Sequence, residues 1–259
     1  MEEIHYLLGN SCNLSCEFCF WGEKFSDPPL DFKKRIIDSI AESGINLVTL
    51  SGGEPTISND FLSILEYMRS KGLNIILHTN GLILDEKLAY RLSKIVSRVS
   101  LTLDGSNEEA VFRMRGNREI LKHTAFLIKI FNKLGVPVNA KTLVTKSNRE
   151  DIPEIGNLLE RLPVSYWSLL EFSPLNRGQK NKDKFFLDEK EFDEIAGRTK
   201  DQFPNIKINI RKYSQYDRRY CFIDPEGRVY TYIKGKGDIM MGDLGKESLR
   251  KIISRIEKK

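Results

Sequence analysis

Three of the four cysteines in this chain fall within eight positions, in the stretch "NSCNLSCEFCFWGE" (10–23): Cys12, Cys16 and Cys19. Disulfide bonding explains them poorly, because three thiols cannot all pair and an oxidising compartment would be needed. A structural zinc site wants four ligands, usually as two pairs, and no second C-x2-C is present. The fourth cysteine, Cys221, stands about 200 residues away. A redox C-x-x-C leaves Cys12 unexplained. The remaining reading is an iron–sulfur cluster. A four-iron cluster normally takes four thiolates. Three would leave one iron for a ligand that is not protein, and an open coordination position is what a catalytic metal needs.

Further candidates lie at turns and within apolar runs. "SGGEP" (51–55) offers Gly52 and Gly53, which let a backbone approach closely, and Glu54, which can accept from an ammonium group. Thr79 and Asn80 lie in "HTNG" (78–81), where Asn80-Gly81 is also an ordinary turn signal; His78 reads as a satisfied polar residue rather than a metal ligand. Ser100 and Asp104 belong to "SLTLDG" (100–105), and Arg115 is an anion contact or a surface arginine. Lys141 and Glu171 interrupt apolar runs, so each needs a partner or a cavity.

The elements around these residues alternate. Strand-like runs at 4–9, 45–55 and 73–81 (these two each closing on a turn), 97–105, 136–145 and 164–175 are separated by helical patterns at 32–44, 60–72, 85–96, 118–135 and 149–162. Six βα units in series predict a parallel sheet with helices outside. A closed eightfold barrel takes about 250 residues, whereas these repeats finish near residue 175. The expectation is an α/β fold: a partial, open (β/α)6 barrel over 1–180, with a small α+β extension over 181–259. In parallel barrels the chemistry sits at the C-terminal strand ends, which is where these turns fall. The extension reads as a helix over 187–203 with a capping box from Asp188 and Glu191, a strand over 205–210, a hairpin over 220–233 turning at Asp224–Gly227, and a final amphipathic helix.

Composition sets the class. The 259 residues are 40% hydrophobic and 30% charged, with a net charge of +5, as in a soluble globular protein. No apolar run approaches the ~20 residues of a membrane span, and the first residues show no secretory signal, so the expected location is cytoplasmic. The charge excess is too mild and scattered to point to nucleic acid. The basic stretches read as solvated faces or as contacts for an anionic substrate.

The cysteine spacing, with Phe18 and Phe20 flanking Cys19, and "GGEP" after the second strand resemble the radical S-adenosylmethionine superfamily. The resemblance implies one [4Fe–4S] cluster on Cys12, Cys16 and Cys19, with its fourth iron chelated by S-adenosylmethionine. It also implies cofactor contacts from Gly52, Gly53, Glu54, Thr79, Asn80, Ser100, Asp104, Lys141 and Glu171. The implied activity is reductive cleavage of S-adenosylmethionine to a 5′-deoxyadenosyl radical, which abstracts hydrogen from a small-molecule or peptide substrate. The electron would come from a reductant such as flavodoxin or ferredoxin. The tail resembles a Twitch appendage, the reduced form of a SPASM domain, lacking the cysteines of an auxiliary cluster; with the 176–186 loop it would supply a lid. "FCF", "WSLLEFSPLNRGQ" and "IDPEGRVY" also resemble viperin-like nucleotide dehydratases, with Lys180, Lys182, Lys184, Arg211 and Arg218 available for a triphosphate. The alternative outside enzymes is an iron–sulfur electron-transfer or sensing protein, which would favour a fourth thiolate.

Overall fold

The structure is a computed structural model that describes residues 1–20, 27–216, 218, 220–233 and 236–258, with the backbone alone for residues 213 and 216. Its described strands form one sheet. The six expected strands are β1 (Glu3–Leu7), β2 (Leu47–Ser51), β3 (Asn74–Thr79), β4 (Arg98–Thr102), β5 (Val138–Val144) and β6 (Tyr166–Glu171). They lie side by side in chain order and run parallel. β7 (Ile208–Arg211) extends this set beyond β6, and β8 (Tyr220–Ile223) extends it beyond β1, both also parallel. β9 (Arg228–Ile233) and β10 (Gly237–Asp243) continue outward from β8 as antiparallel strands. The sheet is not closed, because β7 and β10 are its edges.

The expected hairpin is therefore present as β8 and β9, and its first strand is also a neighbour of β1. Its turn is built by Asp224, whose Oδ1 accepts from the Glu226 and Arg228 amides, while Gly227 adopts φ +83° and bonds back to the Asp224 carbonyl. β10 was not expected; its seven residues, "GDIMMGD", carry glycines that mask a strand pattern.

The helices are α1 (Leu30–Ser43), α2 (Phe61–Ser70), α3 (Glu86–Ser93), α4 (Glu108–Arg115), α5 (Glu119–Lys133), α6 (Ile152–Leu159), α7 (Asn176–Lys180), α8 (Lys182–Phe185), α9 (Glu189–Gln202) and α10 (Leu249–Glu257). α1 ends at Gly44 in the left-handed region, and α9 begins with the full capping box of Asp188 and Glu191. Alternate strand residues face these helices. Ile4, Tyr6, Val48, Leu50, Ile75, Leu77, Val99 and Leu101 are buried in one core with Ile37, Ile64, Leu92 and Phe131. Cys221 belongs to the same core with α10 residues Leu249 and Ile252, and burial pushes its thiol up to about 12.

The other face of the strands lines a polar lumen. It carries Glu3 and His5 on β1, Thr49 on β2, His78 on β3, Ser100 on β4, Asn139 and Lys141 on β5, and Ser168 on β6. Lys141 Nζ lies 3.1 Å from His78 Nδ1. Ser168 Oγ donates to Asn139 Oδ1 at 3.0 Å. β7 and β8 share no backbone ladder, but Arg211 Nη1 donates to the Tyr220 hydroxyl at 3.1 Å across the seam between them.

Two expectations follow. Cys221→Ser places a hydroxyl in an apolar core, so chemical denaturation should show a loss of about 1–3 kcal/mol, with iron content per chain unchanged. Burial lowers His5 to about 4 and His78 well below its usual value, Lys141 adding to the latter. Depressed histidines take up protons more readily in the unfolded chain, so stability is retained above pH 6.5 and declines from there towards pH 4, by at most about 1.4 kcal/mol per pH unit for each group. His5→Phe should flatten that decline in melts of the metal-free chain across the same window.

Candidate active site

β1 runs directly into the cysteine loop. The Leu8 amide bonds to the Ser51 carbonyl at 2.9 Å, which carries the β1–β2 ladder one step beyond the strands. The Gly53 amide then donates to Gly9 O and the Glu54 amide to Ser11 O, both at 2.8 Å. Gly52 sits at φ +132°. A Cβ on Gly52 would collide with the Gly9 carbonyl, and one on Gly53 with the Ser11 carbonyl. What comes close to these glycines is thus the cysteine loop itself, and no bulkier residue allows it.

Within the loop, the Leu14 amide points at Cys12 Sγ at 3.4 Å, and the Cys19 amide turns back to Cys16 O at 3.3 Å. All three thiols are free; Cys16 is buried, Cys19 half-buried and Cys12 exposed. Burial raises the Cys12 and Cys16 thiols. Beside Cys16 stands a countercharge. Arg115 Nη1 lies 3.7 Å from its Sγ, and the guanidinium also covers the Phe18 ring at 4.8 Å. Asp104 holds this arginine: its fully buried carboxylate accepts from Arg115 Nε at 2.5 Å and from the Leu143 amide at 2.7 Å. Asp104 therefore reaches the cysteines through Arg115.

The segment after β6 clasps the loop from the other side. Asn176 Nδ2 donates to Phe20 O at 2.6 Å, Asn181 Nδ2 to Glu17 O at 3.0 Å, Arg177 Nη1 to Cys16 O at 3.3 Å and the Gly178 amide to Cys19 O at 3.1 Å. Four donors from α7 and its end thus meet four carbonyls of the loop, those of Cys16, Glu17, Cys19 and Phe20.

Glu54 is buried and organises the second set of candidates. Its Oε1 accepts from the Thr56 hydroxyl and the Thr79 hydroxyl, each at 2.6 Å, and from the Thr56 amide at 3.2 Å. Its Oε2 accepts from the Asn80 amide at 2.6 Å. Burial raises its carboxyl group, and these donors oppose the shift. The Asn80 side chain then donates to Asn13 Oδ1 at 2.7 Å, inside the cysteine loop. Gly52, Gly53, Glu54, Thr79 and Asn80 are thereby brought together with the cysteines. Ser100 and Lys141 lie deeper on the lumen wall, with Asn139 and His78, and Glu171 is half-buried at the end of β6. Sequence reasoning missed Asn13, Asn176 and Asn181, which act through single long-range hydrogen bonds that no local pattern announces.

Among the described residues, no three histidine, cysteine or acidic side chains are grouped to hold a single metal ion. The donor set of the loop is three free thiols, and Cys221, on the helix-facing side of β8, is in no position to be a fourth. That set fits a four-iron cluster with one iron left for another ligand. Asn176 sits at φ +48°, where asparagine is tolerated and alanine is strained. Asn176→Ala, which also loses the Phe20 bond, should cost about 2 kcal/mol and speed iron loss to a chelator, measured by absorbance of the released iron complex.

The radical SAM superfamily matches residues 6–159. An AdoMet-dependent heme synthase of Methanosarcina barkeri is 30% identical over 185 residues, which is 70% of this chain and 53% of that protein. The chain thus spans about half the length of that relative. An S-adenosylmethionine-dependent nucleotide dehydratase of Flammeovirga pacifica is 25% identical over 91% of this chain and 84% of its own. Crystal structures of Streptococcus suis SuiB bound to S-adenosylmethionine, and bound to its precursor peptide SuiA, share the fold. Their TM-scores are 0.75 and 0.74 at 18% and 17% identity, covering 96% and 97% of this chain and 64% of SuiB. Members of this superfamily use a [4Fe–4S] cluster and S-adenosylmethionine, the pair that the three-thiol loop and the open parallel sheet suit. The chain belongs to the radical SAM superfamily.

Proposed function

We propose that Cys12, Cys16 and Cys19 hold the cluster and that Gly52, Gly53, Glu54, Thr79 and Asn80 seat the amino end of S-adenosylmethionine beside it. The observation that carries this reading is the pair of backbone bonds joining the cysteine loop to the Gly-Gly-Glu turn, because they set a carboxylate next to the thiols through the main chain itself. When bound, the reduced cluster and S-adenosylmethionine supply a carbon-centred radical that takes hydrogen from a substrate. Arg115 places positive charge beside Cys16, which favours a thiolate there. Ser100 and Glu171 complete the wall of the cofactor pocket, and Asp104 acts by orienting Arg115. The α7 clasp covers the loop and limits water around it. Residues 181–259 are read as a Twitch-like extension without an auxiliary cluster, since Cys221 faces the helix-side core.

The substrate is a small molecule or peptide bound in the lumen, and a flavodoxin or ferredoxin supplies the electron. A second reading, a viperin-like nucleotide triphosphate dehydratase, is favoured by the relative that aligns over nine-tenths of this chain and bears a nucleotide dehydratase name. Anaerobic reconstitution with iron and sulfide, reduction, and addition of S-adenosylmethionine should yield 5′-deoxyadenosine, and Cys16→Ala should yield none. Nucleoside triphosphates and peptides added in turn rank the substrates by stimulation. A stable cluster that never cleaves the cofactor would instead favour electron transfer.

A further inference from the structure

The lumen carries cations that no carboxylate answers. Lys141 bonds to an imidazole nitrogen of His78. Arg211, at the seam, bonds to the Tyr220 phenol. Arg98 lies over the Tyr166 ring at 5.0 Å. Among the described residues, none of the three has an acidic side chain within ion-pair distance. The carboxylate of the same belt is Glu3, which accepts from the Thr49 hydroxyl and lies 3.4 Å from His5 Nε2. Lys207 Nζ lies over the same Tyr166 ring at 4.9 Å, so cations outnumber carboxylates in this belt. Unpaired charge on a cavity wall is costly unless a counterion arrives.

Two imidazoles and a phenol lie among these cations. His78 accepts from Lys141 at Nδ1, so its Nε2 carries the proton. His5 Nε2 is buried and has no hydrogen-bond partner. His5 and His78 meet edge to face, with centroids 6.4 Å apart, and His5 also contacts the Tyr220 ring at 5.1 Å. Imidazoles, a phenol, an ammonium and a guanidinium therefore converge from β1, β3, β5, β7 and β8. Burial, helped by the Arg211 charge and opposed by Glu3, brings Lys141 down to about 8, as expected for an ammonium short of a counterion.

We propose that this cluster binds the phosphoryl end of the substrate, with Lys141 and Arg211 as countercharges and His5 and His78 as neutral donors. A phosphoryl group brings two negative charges and several acceptor oxygens to this excess of cations, whereas a single carboxylate brings one charge and two oxygens. The assignment names the substrate class of the lumen and rests on the reading of the lumen as the substrate cavity.

The test is anaerobic calorimetry on the cluster-loaded chain with S-adenosylmethionine present and inorganic pyrophosphate as the probe. Pyrophosphate should bind. Lys141→Met and Arg211→Gln should each weaken it about tenfold or more, the scale of one lost charged hydrogen bond. Lys141→Arg should recover most of the loss, and the exposed Lys200→Gln should bind as the parent does. Circular dichroism shows that each variant is folded, and Arg211, at the exposed seam, serves if Lys141→Met is not. No pyrophosphate binding, or equal weakening by Lys200→Gln, overturns the proposal. Succinate binding as tightly as pyrophosphate overturns the phosphoryl assignment. Formation of 5′-deoxyadenosine is measured on the same unsubstituted sample: if it forms while pyrophosphate fails to bind, this inference falls and the radical SAM reading stands, whereas its absence counts against that reading whatever the calorimetry shows.

Discussion

Two main-chain hydrogen bonds, from Gly53 to Gly9 and from Glu54 to Ser11, are the constraint on which the site depends. They require two consecutive residues without a Cβ and continue a β1–β2 ladder that is already in register. Because the contact is made by backbone, it aims Glu54 and the cysteine loop at one another with little rotameric freedom. Thr56, Thr79 and the Asn80 amide then immobilise the carboxylate, and Asn80 returns the connection to Asn13. The proposed cofactor would meet donors and acceptors here that have already lost their conformational entropy, which is how a site gains affinity without added contact area.

Opposite this strap, the chain uses charge and amide side chains. Arg115 brings a guanidinium to Cys16 and is itself fixed by Asp104, which the Leu143 amide also holds. β4, β5 and the cysteine loop are joined through that one arginine. The α7 clasp adds donors aimed at carbonyls of the loop. The loop is thus gripped on both flanks by hydrogen bonds, and its thiols differ in exposure: Cys16 is sealed in, while Cys12 faces outward.

Much of this was legible in the sequence where the signal is local. The cysteine triplet, the double glycine and six alternating strand and helix patterns carry their meaning within about a dozen residues, and the structure has those elements. The capping box at Asp188 and the turn at Asp224 are equally local. What escaped depends on distant pairing. A hairpin pattern over 220–233 does not reveal that its first strand completes a parallel pair with β1, more than two hundred positions earlier. Asn176 and Asn181 look like ordinary loop residues until their carbonyl partners are known. Lys141 was legible as a residue in need of a partner, but its imidazole partner was not, because the contact spans 63 positions.

The pairing of β1 with β8 has a consequence for the order of assembly. The cysteine loop issues from β1, whose other neighbour in the sheet, β8, follows more than two hundred residues later in the chain. Until β8 has been made, β1 is flanked by β2 alone, and the chemistry-bearing loop hangs from an unprotected sheet edge. The contact of greatest sequence separation in the parallel sheet closes last, since its loop entropy must be met before it forms. The strand that carries the thiols is therefore paired on one side only until β8 arrives, and maturation of the site is tied to completion of the whole sheet.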